Sequence, residues 1–139
     1  MTVTNAGRTD LPTVDDDSRV YWDAYRDREF LIARCGACER VHHYPRPQCP
    51  FCWSEDVSPT RASGDATLYT YSIVHMNDLA PFRDQLPYVA AVVELAEGPR
   101  VMTQVVGCSP EQLRIGMALT VDFEVRTEDI TAPVFRPAG

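Results

Sequence analysis

Four cysteines in two matched pairs constrain this chain more than any other feature. Cys35-Gly36-Ala37-Cys38 is followed, after ten intervening residues, by Cys49-Pro50-Phe51-Cys52. Each pair sets two thiols at the tip of a tight turn, and two such turns facing each other make a tetrahedral sulfur site. Thiolates are soft ligands and zinc imposes no geometry of its own, so the spacing predicts a rubredoxin-like ribbon around structural zinc. Its ligands are Cys35, Cys38, Cys49 and Cys52. Four thiolates leave no open position on the metal, so no chemistry is expected there. Iron in a rubredoxin-type site and a dithiol redox centre are the rival occupants. Glu39 and Trp53 follow the two pairs, at positions where such knuckles usually carry glycine.

Around the ribbon the chain divides into four stretches. Residues 1–17 are polar, carry Asp15-Asp16-Asp17 and lack an apolar h-region, so a flexible tail is expected and not a signal peptide. Residues 18–29 predict a helix capped by Asp17 or Ser18, with Val20, Tyr21, Ala24 and Tyr25 on one face and Trp22 beside it. Residues 30–63 form the ribbon: a strand over 30–33, an extended return over 40–47 whose prolines exclude helix, and an exit over 54–62. From Gly64 the pattern changes to period two. Strands are predicted over 66–75, 88–95, 101–106 and 119–125, with a short fifth over 134–136. A helical turn over 109–116 opens on Ser109-Pro110-Glu111-Gln112. The fold class is therefore mainly β, with a five-stranded OB-type Greek-key barrel over 64–139. An SH3-like barrel is the alternative.

Charge narrows the partners. The chain carries a net charge of −7, and all thirteen basic residues are arginine. An acidic chain repels nucleic acid. Over residues 30–64, Arg34, Arg40, Arg46 and Arg61 stand against Glu39, Glu55 and Asp56, a net of +1. Residues 65–139 carry five arginines against ten acids, a net of −5. The ribbon is the place to meet an anionic ligand, with Arg40 and Arg46 as candidates. Tyr44, Phe51 and Trp53 crowd its tip, either covering the metal or forming a docking face. His75 ends the first barrel strand beside a loop. That loop, 76–87, carries Leu79, Pro81, Phe82, Leu86 and Pro87, which either meet a partner or fold back over the barrel end. His42 and His43 lie near a coordination shell that is already full, and Cys108 reads as a small buried filler. No catalytic constellation is present: no recognisable Ser/His/Asp context, no phosphate-binding glycine motif and no lysine. No apolar run reaches the roughly 20 residues of a membrane span. Paired cysteines without an export signal point to the reducing cytoplasm.

Taken in order, several segments resemble the zinc-ribbon/OB-fold family of acyl-CoA-associated proteins, once labelled domain of unknown function thirty-five. The similarity covers about residues 18–137. It rests on Tyr21-Trp22-Asp23-Ala24, Leu31-Ile32-Ala33-Arg34-Cys35 and Pro45-Arg46-Pro47-Gln48-Cys49-Pro50. It continues through Leu68-Tyr69-Thr70-Tyr71-Ser72-Ile73-Val74-His75, Pro87-Tyr88-Val89, Gly98-Pro99-Arg100-Val101-Met102-Thr103, Val106-Gly107-Cys108, Arg114-Ile115-Gly116-Met117 and Phe135-Arg136-Pro137. Glu39 and Trp53 depart from the family pattern. The resemblance implies a non-catalytic accessory subunit of a thiolase-fold protein, in a hetero-oligomer that acts on acyl-CoA. In such complexes the thiolase-like partner holds the catalytic residues, and the ribbon/OB subunit serves assembly and helps enclose the CoA thioester. The expected reaction is retro-aldol cleavage of a steroid-type side-chain acyl-CoA; thiolysis or condensation is second. In several relatives the module is fused to a hydratase domain, which is not expected here. The arginine-only basic set suits a genome rich in G and C and an actinobacterial catabolic setting. Candidate contacts to acyl-CoA or partner are Arg40, Tyr44, Arg46, Trp53, His75 and Phe82. An OB-fold nucleic-acid module and a rubredoxin-like electron carrier are the rival readings.

Overall fold

A computed structural model describes residues 11–79 and 81–138. Residues 1–10 of the expected tail lie outside the described residues. Within the rest of that stretch, Asp15 and Ser18 bond reciprocally: the Ser18 N–H donates to Asp15 Oδ1 at 2.9 Å, and the Asp15 N–H donates to Ser18 Oγ at 3.1 Å. Helix α1 (Arg19–Arg26) starts here, and Ser18 occupies its N-cap position without a side-chain capping bond. Tyr21, Ala24 and Tyr25 are buried as their spacing predicts, whereas Val20 is about half exposed.

The ribbon is a three-stranded sheet in the order β2-β1-β3. Strand β1 (Leu31–Cys35) pairs antiparallel with β2 (Val41–His42) on one side and β3 (Val57–Arg61) on the other. Strand β3 lies where the sequence suggested only an exit. Pro59 argues against a strand interior, yet it sits opposite Ala33 on an edge strand, which tolerates a residue without an N–H.

The remaining five strands close a barrel in the order β4-β5-β6-β8-β7. They are β4 (Asp65–Val74), β5 (Tyr88–Leu95), β6 (Arg100–Val105), β7 (Ala118–Val125) and β8 (Thr131–Pro137). After β6 the chain crosses over through a single 3-10 turn, Pro110–Gln112, shorter than the helical turn expected over 109–116. Strand β7 then pairs with the start of β4, and β8 closes on β6 in parallel at Val105 and Phe135. This skip in strand order is a Greek key, and with the parallel closing pair it gives the OB-type barrel and not the SH3-like alternative. Gly64 leads from ribbon to barrel at φ +88°, and a Cβ there would lie 2.5 Å from Val121 Cγ1. Only glycine fits that joint without strain.

Ribbon, helix and barrel share one hydrophobic core. Phe30 is its hub. It stacks on Tyr25 (5.9 Å) and His43 (5.6 Å) and meets the fully buried Phe135 of β8 edge-on at 5.9 Å. No described helix is long and apolar enough to cross a membrane.

Candidate metal centre and the clefts beside it

Local backbone bonds build each knuckle. The Glu39 N–H returns to the Cys35 carbonyl and the Trp53 N–H to the Cys49 carbonyl, both at 2.9 Å. Residues 39 and 53 adopt φ of 65° and 67° to make these turns. The left-handed backbone that favours glycine is thus present at both positions, carried by glutamate and tryptophan. The Ala37 and Cys38 amides point at Cys35 Sγ at 3.3 and 3.4 Å, and the Phe51 amide at Cys49 Sγ at 3.4 Å. These donors favour thiolate over thiol. The Cys38 amide, followed by that of Ala37, holds the Cys35 thiol down at about 7.

All four Sγ atoms lie within 4.8 Å of one another, with Cys35–Cys52 and Cys38–Cys49 each at 3.6 Å. Zinc with Zn–S bonds of about 2.3 Å sets tetrahedral sulfurs about 3.8 Å apart, so the donor set fits a four-coordinate ion. Cys35 and Cys49 are fully buried and Cys52 is exposed. The cysteines are positioned for a metal as their spacing predicts.

The other candidate residues separate into two groups. Arg40 lies over the Phe51 ring at 5.0 Å, and both side chains are exposed at the ribbon tip. Trp53 is 78% exposed beside them. Tyr44 reaches the barrel, where its hydroxyl accepts the Met102 N–H at 3.4 Å, and Arg46 shares a cleft with it. On the barrel side, Phe82 begins the 3-10 turn Phe82–Gln85 and packs on Tyr88 at 5.9 Å. His75 is exposed just past β4 and lines none of the clefts described here. Cys108 is half-buried against the core.

Sequence reasoning missed the role of Trp22. It lines two clefts on the seam between β6 and β8. One, of about 280 Å³, is walled by Tyr21, Tyr25, Tyr44 and Met102; the other, of about 250 Å³, by Phe82, Thr103 and Gln104. Trp22, Ala132 and Pro133 belong to both. A tryptophan just off the buried helical stripe was the available signal.

Comparison with known proteins matches the chain to two domain descriptions. Residues 22–58 match the rubredoxin-like zinc ribbon domain of ChsH2, and residues 59–124 its C-terminal OB-fold domain. Among solved structures, a chain of the Ltp2-ChsH2(DUF35) aldolase superposes with a TM-score of 0.83 at 37% identity. The match covers 93% of this chain and 100% of that one. A DUF35 domain-containing scaffold protein of Methanocaldococcus jannaschii is 39% identical over 112 residues, 78% of this chain and 77% of that protein. A probable enoyl-CoA hydratase alpha subunit of Thermomonospora curvata is 38% identical over 127 residues. The match takes in 91% of this chain but only 39% of that subunit's length.

Proposed function

The chain belongs to the DUF35 family of ChsH2-type zinc-ribbon/OB-fold proteins, and from that premise we propose that it is a non-catalytic accessory subunit of a thiolase-fold acyl-CoA enzyme. The reaction proposed for the complex is retro-aldol cleavage of a steroid-type side-chain acyl-CoA: the bond between Cα and the hydroxyl-bearing Cβ breaks, giving a ketone and a shorter acyl-CoA. The observation that carries this reading is the likeness to the DUF35 chain of the Ltp2-ChsH2 aldolase, which this chain spans over that chain's full length. The metal centre would be structural. Zinc, when bound, ties the two knuckles together and supplies no reactive site, because the four thiolates fill its shell.

In this reading the partner supplies the catalytic groups, and this chain helps enclose the CoA thioester. Arg40 and Arg46 are the candidates for the anionic end of CoA. Tyr44, Trp53, His75 and Phe82 are candidates for contact with acyl-CoA or partner. The complex is a cytoplasmic hetero-oligomer without nucleic acid. The test is affinity purification of the tagged chain from its native cells, with mass spectrometry of co-purifying proteins. A stoichiometric thiolase-fold protein is expected. The purified pair should then split a β-hydroxyacyl-CoA while this chain alone does nothing. Nucleic acid in place of a thiolase-fold protein would overturn the reading.

A second reading makes the chain the scaffold of a thiolase or condensing enzyme. It is favoured by the archaeal scaffold relative, which this chain covers over most of its length. Product analysis separates the two, since thiolysis consumes free coenzyme A and aldol cleavage does not.

A further inference from the structure

A third cleft, of about 220 Å³, lies where the ribbon meets the barrel's β5–β6 turn. His42 and His43 form part of its wall, with Arg46 and Phe51 from the ribbon and Pro99 and Arg100 from the barrel. His42 is only 7% exposed, yet neither of its ring nitrogens has a hydrogen-bond partner among the described residues. Buried polar atoms without a partner are rare, and each calls for an explanation, an ordered water or a bound ion among them.

The charges around the cleft say what that partner is. No carboxylate is among its lining residues. Arg46 makes no ion pair among the described residues. Arg100 is held by Glu94 at 3.2 Å and lies over the Tyr69 ring, so its charge is already answered and Arg46 is the cation left for the cleft. The Tyr44 hydroxyl accepts from the Met102 amide and keeps its own proton to donate. Imidazole N–H, guanidinium and phenol are all donors, and a group with several anionic oxygens satisfies them together.

We propose that this cleft binds a phosphate-class anion, with His42 donating a ring N–H and Arg46 supplying the charge. The cleft shares His43 and Tyr44 with the aromatic cleft beside Trp22. A phosphate carried on a flat or apolar group can therefore extend along the same face. Its source is either free phosphate or the phosphate end of an acyl-CoA, and only the second rests on the function proposed above.

The test uses the full zinc-loaded chain in low-chloride buffer. Inorganic phosphate, pyrophosphate and coenzyme A are titrated in turn, read by calorimetry and by the nitrogen resonances of the histidine rings. Phosphate is expected to shift the His42 ring signals. Arg46→Glu and His42→Gln should each weaken binding about tenfold or more, the scale of one charge-assisted hydrogen bond. Arg61→Glu, on the ribbon but outside the cleft, should bind like the parent. Zinc content and amide spectra confirm that each variant folds, and the exposed Arg46 keeps the test decisive if His42→Gln does not. Coenzyme A binding at least tenfold tighter than phosphate assigns the acyl-CoA source; equal affinity assigns free phosphate. Unmoved His42 signals at saturating anion, or equal loss of affinity in Arg61→Glu, overturn the proposal and leave the ring nitrogens to ordered water. A chain that captures a thiolase-fold protein but ignores phosphate loses this proposal alone.

Discussion

Glu39 and Trp53 each hold a left-handed backbone that costs a residue with a Cβ about 1–2 kcal/mol relative to glycine. Neither side chain recovers that cost within the chain. Glu39 pairs with Arg34 at 3.7 Å, but both are exposed, and such pairs contribute about 0–1 kcal/mol. Trp53 stands largely in water. Glu39→Gly is therefore expected to raise stability by about 1 kcal/mol in denaturant unfolding, after the extra freedom of glycine in the unfolded chain is counted. Trp53→Gly should raise stability in the same way and, if the ribbon tip is a docking face, weaken capture of the thiolase-fold partner. Opposite signs in the two measurements would show that the strain is kept for binding. His43 makes a different prediction. Burial, with a smaller push from His42, lowers its pKa from 6.5 to about 4. Between those values the unfolded chain binds a proton that the folded chain does not, so stability is full above about pH 6.5 and falls as pH drops toward 4. His43→Phe preserves the stacking on Phe30 and should flatten that slope in a pH series of melting temperatures.

At the scale of elements, the two knuckles were legible because their signal is local: the spacing of Cys35, Cys38, Cys49 and Cys52 fixes the turn without reference to the rest of the fold. The barrel strands were legible for the same reason, since Val89, Ala91, Val93 and Leu95 alternate inward whatever lies opposite them. Strand β3 was not, because whether Pro59 is tolerated depends on its standing at a sheet edge. The cleft around His42 was not legible either: it exists only once the ribbon has docked on Pro99 and Arg100. Because the knuckles share one ion, losing a single ligand undoes both. Structural zinc contributes about 10–16 kcal/mol of apparent binding energy in small peptides, more than the stability of most domains. Cys35→Ser or Cys49→Ser should yield protein without stoichiometric zinc, with amide signals of β1 to β3 collapsed. Folded, zinc-free mutants would remove the structural role of the ion.

Read as a sequence, the chain looks like two modules in series; as a molecule it has one core. Phe30 stands at the start of the ribbon and touches both α1, through Tyr25, and the last strand of the barrel, through Phe135. Ile32 and Ala33 join the same cluster as Leu68, Leu119 and Val105 of the barrel. Independent modules would melt separately, and stripping the metal would leave the barrel as it was. A shared core demands the opposite: once the ribbon opens, Phe135 loses its edge-on partner and the β6–β8 seam, closed at Phe135 against Val105 and Val106, faces water. A chelator is therefore expected to abolish a single cooperative transition, with amide protection lost in β8 as well as in the ribbon. Phe30→Ala reaches the same joint without touching the metal. Removing a buried phenyl ring typically costs about 3–5 kcal/mol. In this chain the loss should fall on the coupling, so that calorimetry resolves a zinc-dependent ribbon transition from an earlier-melting barrel. A single transition, shifted but unsplit, would place the coupling elsewhere in the core. A barrel that keeps its parent melting temperature would mean that the two modules were independent from the start.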